Sequence, residues 1–199
     1  MGLFGRPEAG DRWIVVGLGN PGPKYERTRH NAGVIVIREL LERTGRSLKN
    51  HKSGAAIAEC EISGEKVVLA RTTSYMNESG RPVRALCRFY KTPPGRLIVV
   101  HDELDVPFGD IRVKLGGGTA GHNGIKSLAQ HLGSKDFIRV RVGISRPNGG
   151  RDPIDYVLGE FTGTERKELP FAISSAADAV EAIFENGPER AMNTINTRP

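Results

Sequence analysis

The sequence predicts an α/β fold, a single domain with a mixed, twisted β-sheet flanked by helices on both faces. Two observations carry this expectation. Short apolar runs such as Trp13–Val16 and Leu97–Val100 are interleaved with longer stretches whose apolar residues recur at helical spacing. The runs Ala56–Ile62 and Lys66–Arg71 are separated only by Ser63-Gly64-Glu65, which reads as a hairpin and makes the sheet mixed rather than all parallel.

The elements follow in order. Trp13-Ile14-Val15-Val16 is a buried strand that stops at the loop GLGNPGPKYERTRHNAG, residues 17–33. Asn31 is placed to cap a helix carrying Val34, Ile37, Leu40 and Leu41 on one face, with Gly45 as its stop. Residues 46–54 read as an exposed loop before the hairpin. Asn77 or Ser79 can cap the next helix, whose stripe is Val83, Leu86, Cys87 and Tyr90 and whose Pro82 sits in a tolerant first turn. Pro93-Pro94-Gly95 ends it. Leu97–Val100 is the clearest buried strand and runs into His101-Asp102-Glu103-Leu104-Asp105. Ile111–Leu115 is a strand leading into a glycine-rich loop and then a helix bearing Ile125, Leu128, Ala129 and Leu132. Ile138–Ile144 alternates as a strand, 146–153 is a Gly/Pro loop, and Tyr156–Phe161 is a final short run. From Thr164 the chain is helical, with Pro170 a point for a kink, and a last helix begins near Pro188.

Composition narrows the setting. A chain of 199 residues is long enough for one well-cored domain. No apolar run approaches the ~18 residues of a membrane span, and the first dozen residues have no apolar stretch of signal-peptide length. They read as a flexible tail, residues 1–12, before a domain at 13–199. The 2 cysteines, Cys60 and Cys87, fall on apolar patterns and read as reduced and structural, which fits a cytoplasmic protein. A formal charge of +6 favours a polyanionic partner.

Three loops carry polar side chains suited to chemistry. Gly17-Leu18-Gly19-Asn20-Pro21-Gly22 matches a dinucleotide fingerprint in spacing, but prolines crowd the turn and no acidic residue follows at a second strand end. Residues 116–127, GGGTAGHNGIKS, have P-loop glycine spacing with His122-Asn123 where Lys-Ser/Thr would stand; a phosphate resting on the following helix N-terminus, near Lys114 and Lys126, is one use. The segment 101–105, joined by His122, offers carboxylates and histidines for a divalent metal. Without a G-x-S-x-G elbow or an activated cysteine, no nucleophile for covalent catalysis is apparent. What remains is His30, Asp102 and the amides of Asn20, Asn77 and Asn123: a histidine base oriented by a carboxylate, acting on water against an activated bond. A metal-dependent phosphoesterase and a non-catalytic RNA-binding module stand as alternatives at this point.

Taken together, GLGNPGPKYERTRHNAG, SYMNESG, HDELDVPFGDIRVKL and GGGTAGHNGIKSL resemble the bacterial peptidyl-tRNA hydrolases, in that order and spacing, over nearly the whole chain from Trp13. The resemblance implies a monomeric cytoplasmic enzyme of one catalytic domain, working without a cofactor or metal. Its implied reaction is cleavage of the ester between a peptidyl group and the 3′-terminal ribose of tRNA. It implies that His30 is the base, that Asp102 keeps it basic, and that Asn20 helps tell blocked from free aminoacyl-tRNA. Tyr25, Tyr75, Asn77 and Asn123 match positions contacting the tRNA end or peptide, with Met76 an apolar wall and His122 beside them. Lys114, Lys126, Arg141 and the arginines between Arg81 and Arg88 are candidate phosphate contacts, although for the last group a merely solvated helix face is the preferred reading.

Overall fold

The run Trp13–Gly17 (β1) becomes the middle strand of the sheet, because both of its faces are apolar and both need covering. The computed structural model describes residues 10–197. Around β1 lie Lys49–His51 (β2), Ala55–Ile62 (β3), Glu65–Thr72 (β4), Leu97–Glu103 (β5), Ile111–Leu115 (β6) and Ile138–Gly143 (β7). They form a 7-stranded sheet in the order β2-β3-β4-β1-β5-β7-β6. β4, β1, β5 and β7 are parallel neighbours, whereas β2–β3, β3–β4 and β6–β7 pair antiparallel. The predicted mixed sheet and hairpin are therefore observed, the latter turning through Ser63 and Gly64 at positive φ.

Side-chain alternation in β1 divides the core in two. Val15 joins Val36, Leu40, Val100, Val140, Ile173 and Val180 on the face covered by Ala32–Thr44 (α1), Gly163–Asn186 (α5) and Pro188–Asn196 (α6). Ile14 and Val16 join Val83, Leu86, Val99, Ile125 and Leu128 on the face covered by Gly80–Tyr90 (α2) and Asn123–Leu132 (α3). The outer edge of β6 is closed by the last helix: the Asn196 amide accepts from Val113 N–H at 2.9 Å and donates to Val113 C=O at 2.8 Å, replacing a strand partner.

Several expectations change. Residues 49–51, expected in a loop, form edge strand β2 by backbone pairing with β3; a polar Lys-Asn-His segment carries no periodic signal for it. Tyr156–Phe161, read as a final short run, is preceded and entered by a short helix, Pro153–Val157 (α4), started by Asp152 accepting from Ile154 N–H at 2.7 Å and by Pro153 in the first turn. Only Glu160 makes a β-bridge, to Thr28. Neither Asn31 nor Ser79 caps through its side chain. α5 begins at a Thr162/Glu165 capping box and continues past Pro170 as one helix. Of the expected tail 1–12, residues 1–9 lie outside the described residues. Residues 10–12 are tied down: Gly10 C=O accepts from Arg96, Asp11 pairs with Lys66, and Arg12 pairs with Glu59.

Candidate active site

β1 and β5 run parallel and end at the same edge of the sheet, so the loop after β1 and the polar end of β5 meet there. Close approach is enforced by glycine. A Cβ on Gly33 would stand 2.2 Å from Val100 O and 2.7 Å from Leu18 N, and one on Gly17 would stand 2.3 Å from Gly33 O. The first turn of α1 is thus pressed onto β1 and β5, and the 3₁₀ turn Arg29–Asn31 just before it sets His30 over Asp102.

His30 Nδ1 lies 3.0 Å from both Asp102 carboxylate oxygens. On its other side Asp102 Oδ1 lies 3.0 Å from His122 Nε2. The proton on His122 can be placed by chemistry. Its Nδ1 accepts the N–H groups of Gly124 at 3.1 Å and Ile125 at 3.3 Å, capping α3, so its proton must sit on Nε2 and point at Asp102. Asp102 accepts from two imidazoles, and His30 keeps its Nε2 lone pair on a residue lining the cleft. Burial alone would lower the His30 pKa, but the Asp102 charge and hydrogen bond prevail and raise it above the ordinary imidazole value. Burial would raise the Asp102 pKa, but the charges and hydrogen bonds of His30 and His122 pull it far below the carboxylate range. Asp102 is therefore ionised at any working pH.

Asn20 is held by its neighbours. Asn31 accepts from Asn20 N–H at 2.8 Å and donates to Asn20 C=O at 3.0 Å, a role sequence reasoning missed by assigning Asn31 to a helix cap. Asn20 Oδ1 accepts from Met76 N–H at 2.8 Å, which leaves its amide NH₂ as the free end. Asn20 and His30 line a cleft of about 530 Å³ with Tyr75, Met76, Asn77, Asp102, His122 and Asn123. Leu104 after β5 and Ile154, Val157 and Leu158 in and after α4 add an apolar wall. Sequence reasoning did not name this wall, because it read 146–153 as a loop and 156–161 only as a final short run.

Arg29 clasps that wall to the catalytic turn. Its buried guanidinium donates to the carbonyls of Tyr156, Gly159 and Glu160, pairs with Glu165 at 2.6 Å, and lies 4.2 Å from the Tyr156 ring centroid. Tyr25 does not line the cleft; it packs edge-on against the exposed Tyr75, with centroids 6.4 Å apart. Lys114, Lys126 and Arg141 also lie outside it. Lys114 and Lys126 sit on β6 and α3, and Arg141 on β7 is paired with Glu103 at 2.9 Å. The glycine loop is pinned by Arg139, which donates to the carbonyls of Gly117 and Gly118. The N–H groups of Gly124 and Ile125 at the start of α3, which the sequence offered as a phosphate cradle, are taken by His122.

The metal reading of 101–105 loses its ligands. Glu103 is paired with Arg141 and Asp105 with Arg146. His101 turns to the other face, its Nδ1 donating to Asp102 C=O at 2.7 Å, and burial followed by the neighbouring His122 holds its pKa well below the usual value. Among the described residues, the set close enough to share a cation is His30, Asp102 and His122. There His122 presents a proton rather than a lone pair, because its other nitrogen is already an acceptor. Burial pushes both cysteine thiols up to about 11, so neither is an activated nucleophile.

Fold and cleft together define an α/β protein with a histidine–carboxylate pair at the carboxyl edge of its parallel strands, the equipment of a general-base hydrolase. The chain belongs to the peptidyl-tRNA hydrolase family, whose model matches residues 14–199. It is 54% identical over 187 residues to the peptidyl-tRNA hydrolase of Frankia casuarinae, covering 94% of this chain and 95% of that one. It is 52% identical over 184 residues to that of Mycolicibacterium smegmatis, covering 92% and 96%. The crystal structure of the Acinetobacter baumannii peptidyl-tRNA hydrolase superposes with a TM-score of 0.87 at 36% identity, covering 96% of this chain and 97% of that one.

Proposed function

We propose that this protein hydrolyses the ester between the peptidyl group and the 3′-terminal ribose of peptidyl-tRNA, with His30 as base. The observation that carries the roles is the fixed proton arrangement around Asp102. His30 Nδ1–H donates to an ionised carboxylate, so its Nε2 takes a proton from water as the water oxygen attacks the ester carbonyl. Collapse of the tetrahedral intermediate breaks the bond to the ribose oxygen, which leaves with the proton held by the imidazolium. Asp102 stays ionised and stabilises that imidazolium. The free NH₂ of Asn20 and the amide of Asn123 are donors toward the developing oxyanion, each worth on the order of 10²–10³ in rate. Family membership supports the substrate.

The 3′ end is read without regard to tRNA sequence, the terminal base stacking near Tyr75 and its partner Tyr25. Lys114, Lys126 and Arg141 contact phosphates, Arg141 by leaving Glu103. The protein acts as a monomer in the cytoplasm, where its substrate arises; no helix among the described residues is long and apolar enough to cross a membrane. The reaction needs no metal or cofactor.

The test is release of label from N-acetyl-aminoacyl-tRNA and from unblocked aminoacyl-tRNA, with and without EDTA, by the parent and His30→Ala. Cleavage of the blocked substrate that ignores EDTA and disappears in the variant, while tRNA still binds, is the expected result. Activity lost in EDTA would move the chemistry to a metal. Binding without cleavage by the parent would leave an RNA-binding module.

A further inference from the structure

The exposed face of α2 has no role in the chemistry above, yet its charge pattern is one-sided. Arg81, Arg84 and Arg88 are spaced three and four residues apart, which places them in one row on the solvent side of a helix whose other side packs Val83, Leu86 and Cys87 into the core. Several exposed arginines elsewhere keep carboxylate company, Arg38 with Glu26, Arg43 with Glu39 and Asp178, Arg146 with Asp105, Arg166 with Glu160. Arg27, Arg46, Arg151 and Arg190 stand without an ion pair among the described residues, but on separate elements; α2 is distinct in setting three such arginines on one face. No ion pair involves the α2 row among the described residues. Charges of one sign set side by side without counter-charges cost stability by mutual repulsion, which a polyanion bound along the row would relieve.

The row also starts in the right place. α2 directly follows Tyr75, Met76 and Asn77, which line the cleft. Its first residue, Gly80, donates to Ser127 Oγ at 3.0 Å, so the helix begins against α3 one residue from the exposed Lys126. From Arg81 to Arg88 the helix rises about 10 Å, the length of about three stacked nucleotides at roughly 3.4 Å each. We infer that Arg81, Arg84 and Arg88 form a phosphate track for the RNA strand that leads into the cleft. The inference rests on the peptidyl-tRNA reading above and deepens it. An acidic protein segment would match the charge, but it would not account for a row that begins at the mouth of the cleft.

The test compares the parent, the triple variant Arg81→Gln/Arg84→Gln/Arg88→Gln, and a control that removes the same charge from the opposite face, Arg166→Gln/Lys167→Gln/Arg190→Gln. For each, kcat and KM on N-acetyl-aminoacyl-tRNA are measured from 50 to 200 mM salt. Each arginine–phosphate pairing removed should flatten log(kcat/KM) against log[salt] by about 0.7, so the track variant loses about 2 from the slope. Its deficit at the lowest salt then shrinks about 15- to 20-fold across the range. The change sits in KM, kcat stays at the parental value, and the control keeps the parental slope. An active parent whose slope the track variant shares would overturn the track alone, as would a control that flattens equally. A parent unable to cleave the substrate would overturn the functional reading first.

Discussion

Asp102→Asn tests the proton arrangement more sharply than any change at His30 itself. An amide offers one oxygen acceptor and one NH₂ donor, but two imidazole N–H groups face residue 102, from His30 and from His122. His122 cannot give way, because moving its proton to Nδ1 would leave the N–H groups of Gly124 and Ile125 without their acceptor, at about 1–3 kcal/mol each. No such lock holds His30. The amide oxygen therefore turns to His122, its NH₂ turns to His30, and the His30 proton shifts to Nε2. The lone pair then points away from the cleft. A catalytic histidine in the wrong tautomer costs about 10⁴ in kcat, or about 5.5 kcal/mol of transition-state stabilisation.

The lock on His122 predicts a rescue that a simple loss of charge does not. In Asp102→Asn/His122→Asn the amide introduced in place of the imidazole still caps α3 but is too short to hold residue 102. The amide at 102 is then free to present its oxygen to His30. The double variant should recover at least about tenfold in kcat over Asp102→Asn, a non-additive result expected of groups sharing one network. Single-turnover release of label from N-acetyl-aminoacyl-tRNA measures it, with thermal melts confirming that both variants fold. A double variant no faster than the single would refute the tautomer argument, and so would an Asp102→Asn protein keeping more than about a hundredth of parental kcat.

The pH profile should rise through a midpoint above 6.5, since His30 must be neutral to act and its pKa is raised against the effect of burial by Asp102. Stability runs the other way: the contribution of charged His30 is full below the unfolded value and is lost as pH climbs through the raised folded value. Kinetics and urea unfolding at matched pH would therefore show activity rising as this stabilisation fades. Gly33→Ala drives a Cβ to 2.2 Å from Val100 O and should cost at least about 3 kcal/mol by urea midpoint. Gly45→Ala, at φ +63 with open space around it, should cost only about 1 kcal/mol. Arg29→Met strands Glu165 and several buried carbonyls, and should destabilise by about 3 kcal/mol. Its raised KM, measured well below the melting temperature, would report loosening of the α4 wall.

The strands that build the site were legible because they are buried on both faces: Ile14–Val16 and Leu97–Val100 read as continuous apolar runs, and each ends where polar residues begin. His30, Asp102 and the amides of Asn20, Asn77 and Asn123 could be nominated from the loops that follow such strands, while singling out Asn20 among the amides took the family resemblance. β2 was not legible, because Lys49, Asn50 and His51 join the sheet through backbone groups that every sequence has. α4 was hidden for a different reason. Asp152-Pro153 is a good helix start, but it follows glycines that read as loop and precedes residues that alternate like a strand.

Within the site, the unread part was which polar side chain works on which other. Asn31 sits where a capping residue would, and its side chain instead brackets the Asn20 backbone; His122, expected beside the tRNA contacts, lines the cleft and also caps α3 and supports Asp102. For Asn31 the deciding fact is how closely Gly17 and Gly33 let α1 approach the sheet; for His122 it is how closely Gly124 lets the start of α3 approach Leu18 and Met76. Local pattern names the residue types an active site draws on. The division of labour among them follows from backbone groups already committed elsewhere: Met76 N–H fixes which end of Asn20 faces the cleft, and Gly124 and Ile125 N–H fix which nitrogen of His122 carries the proton.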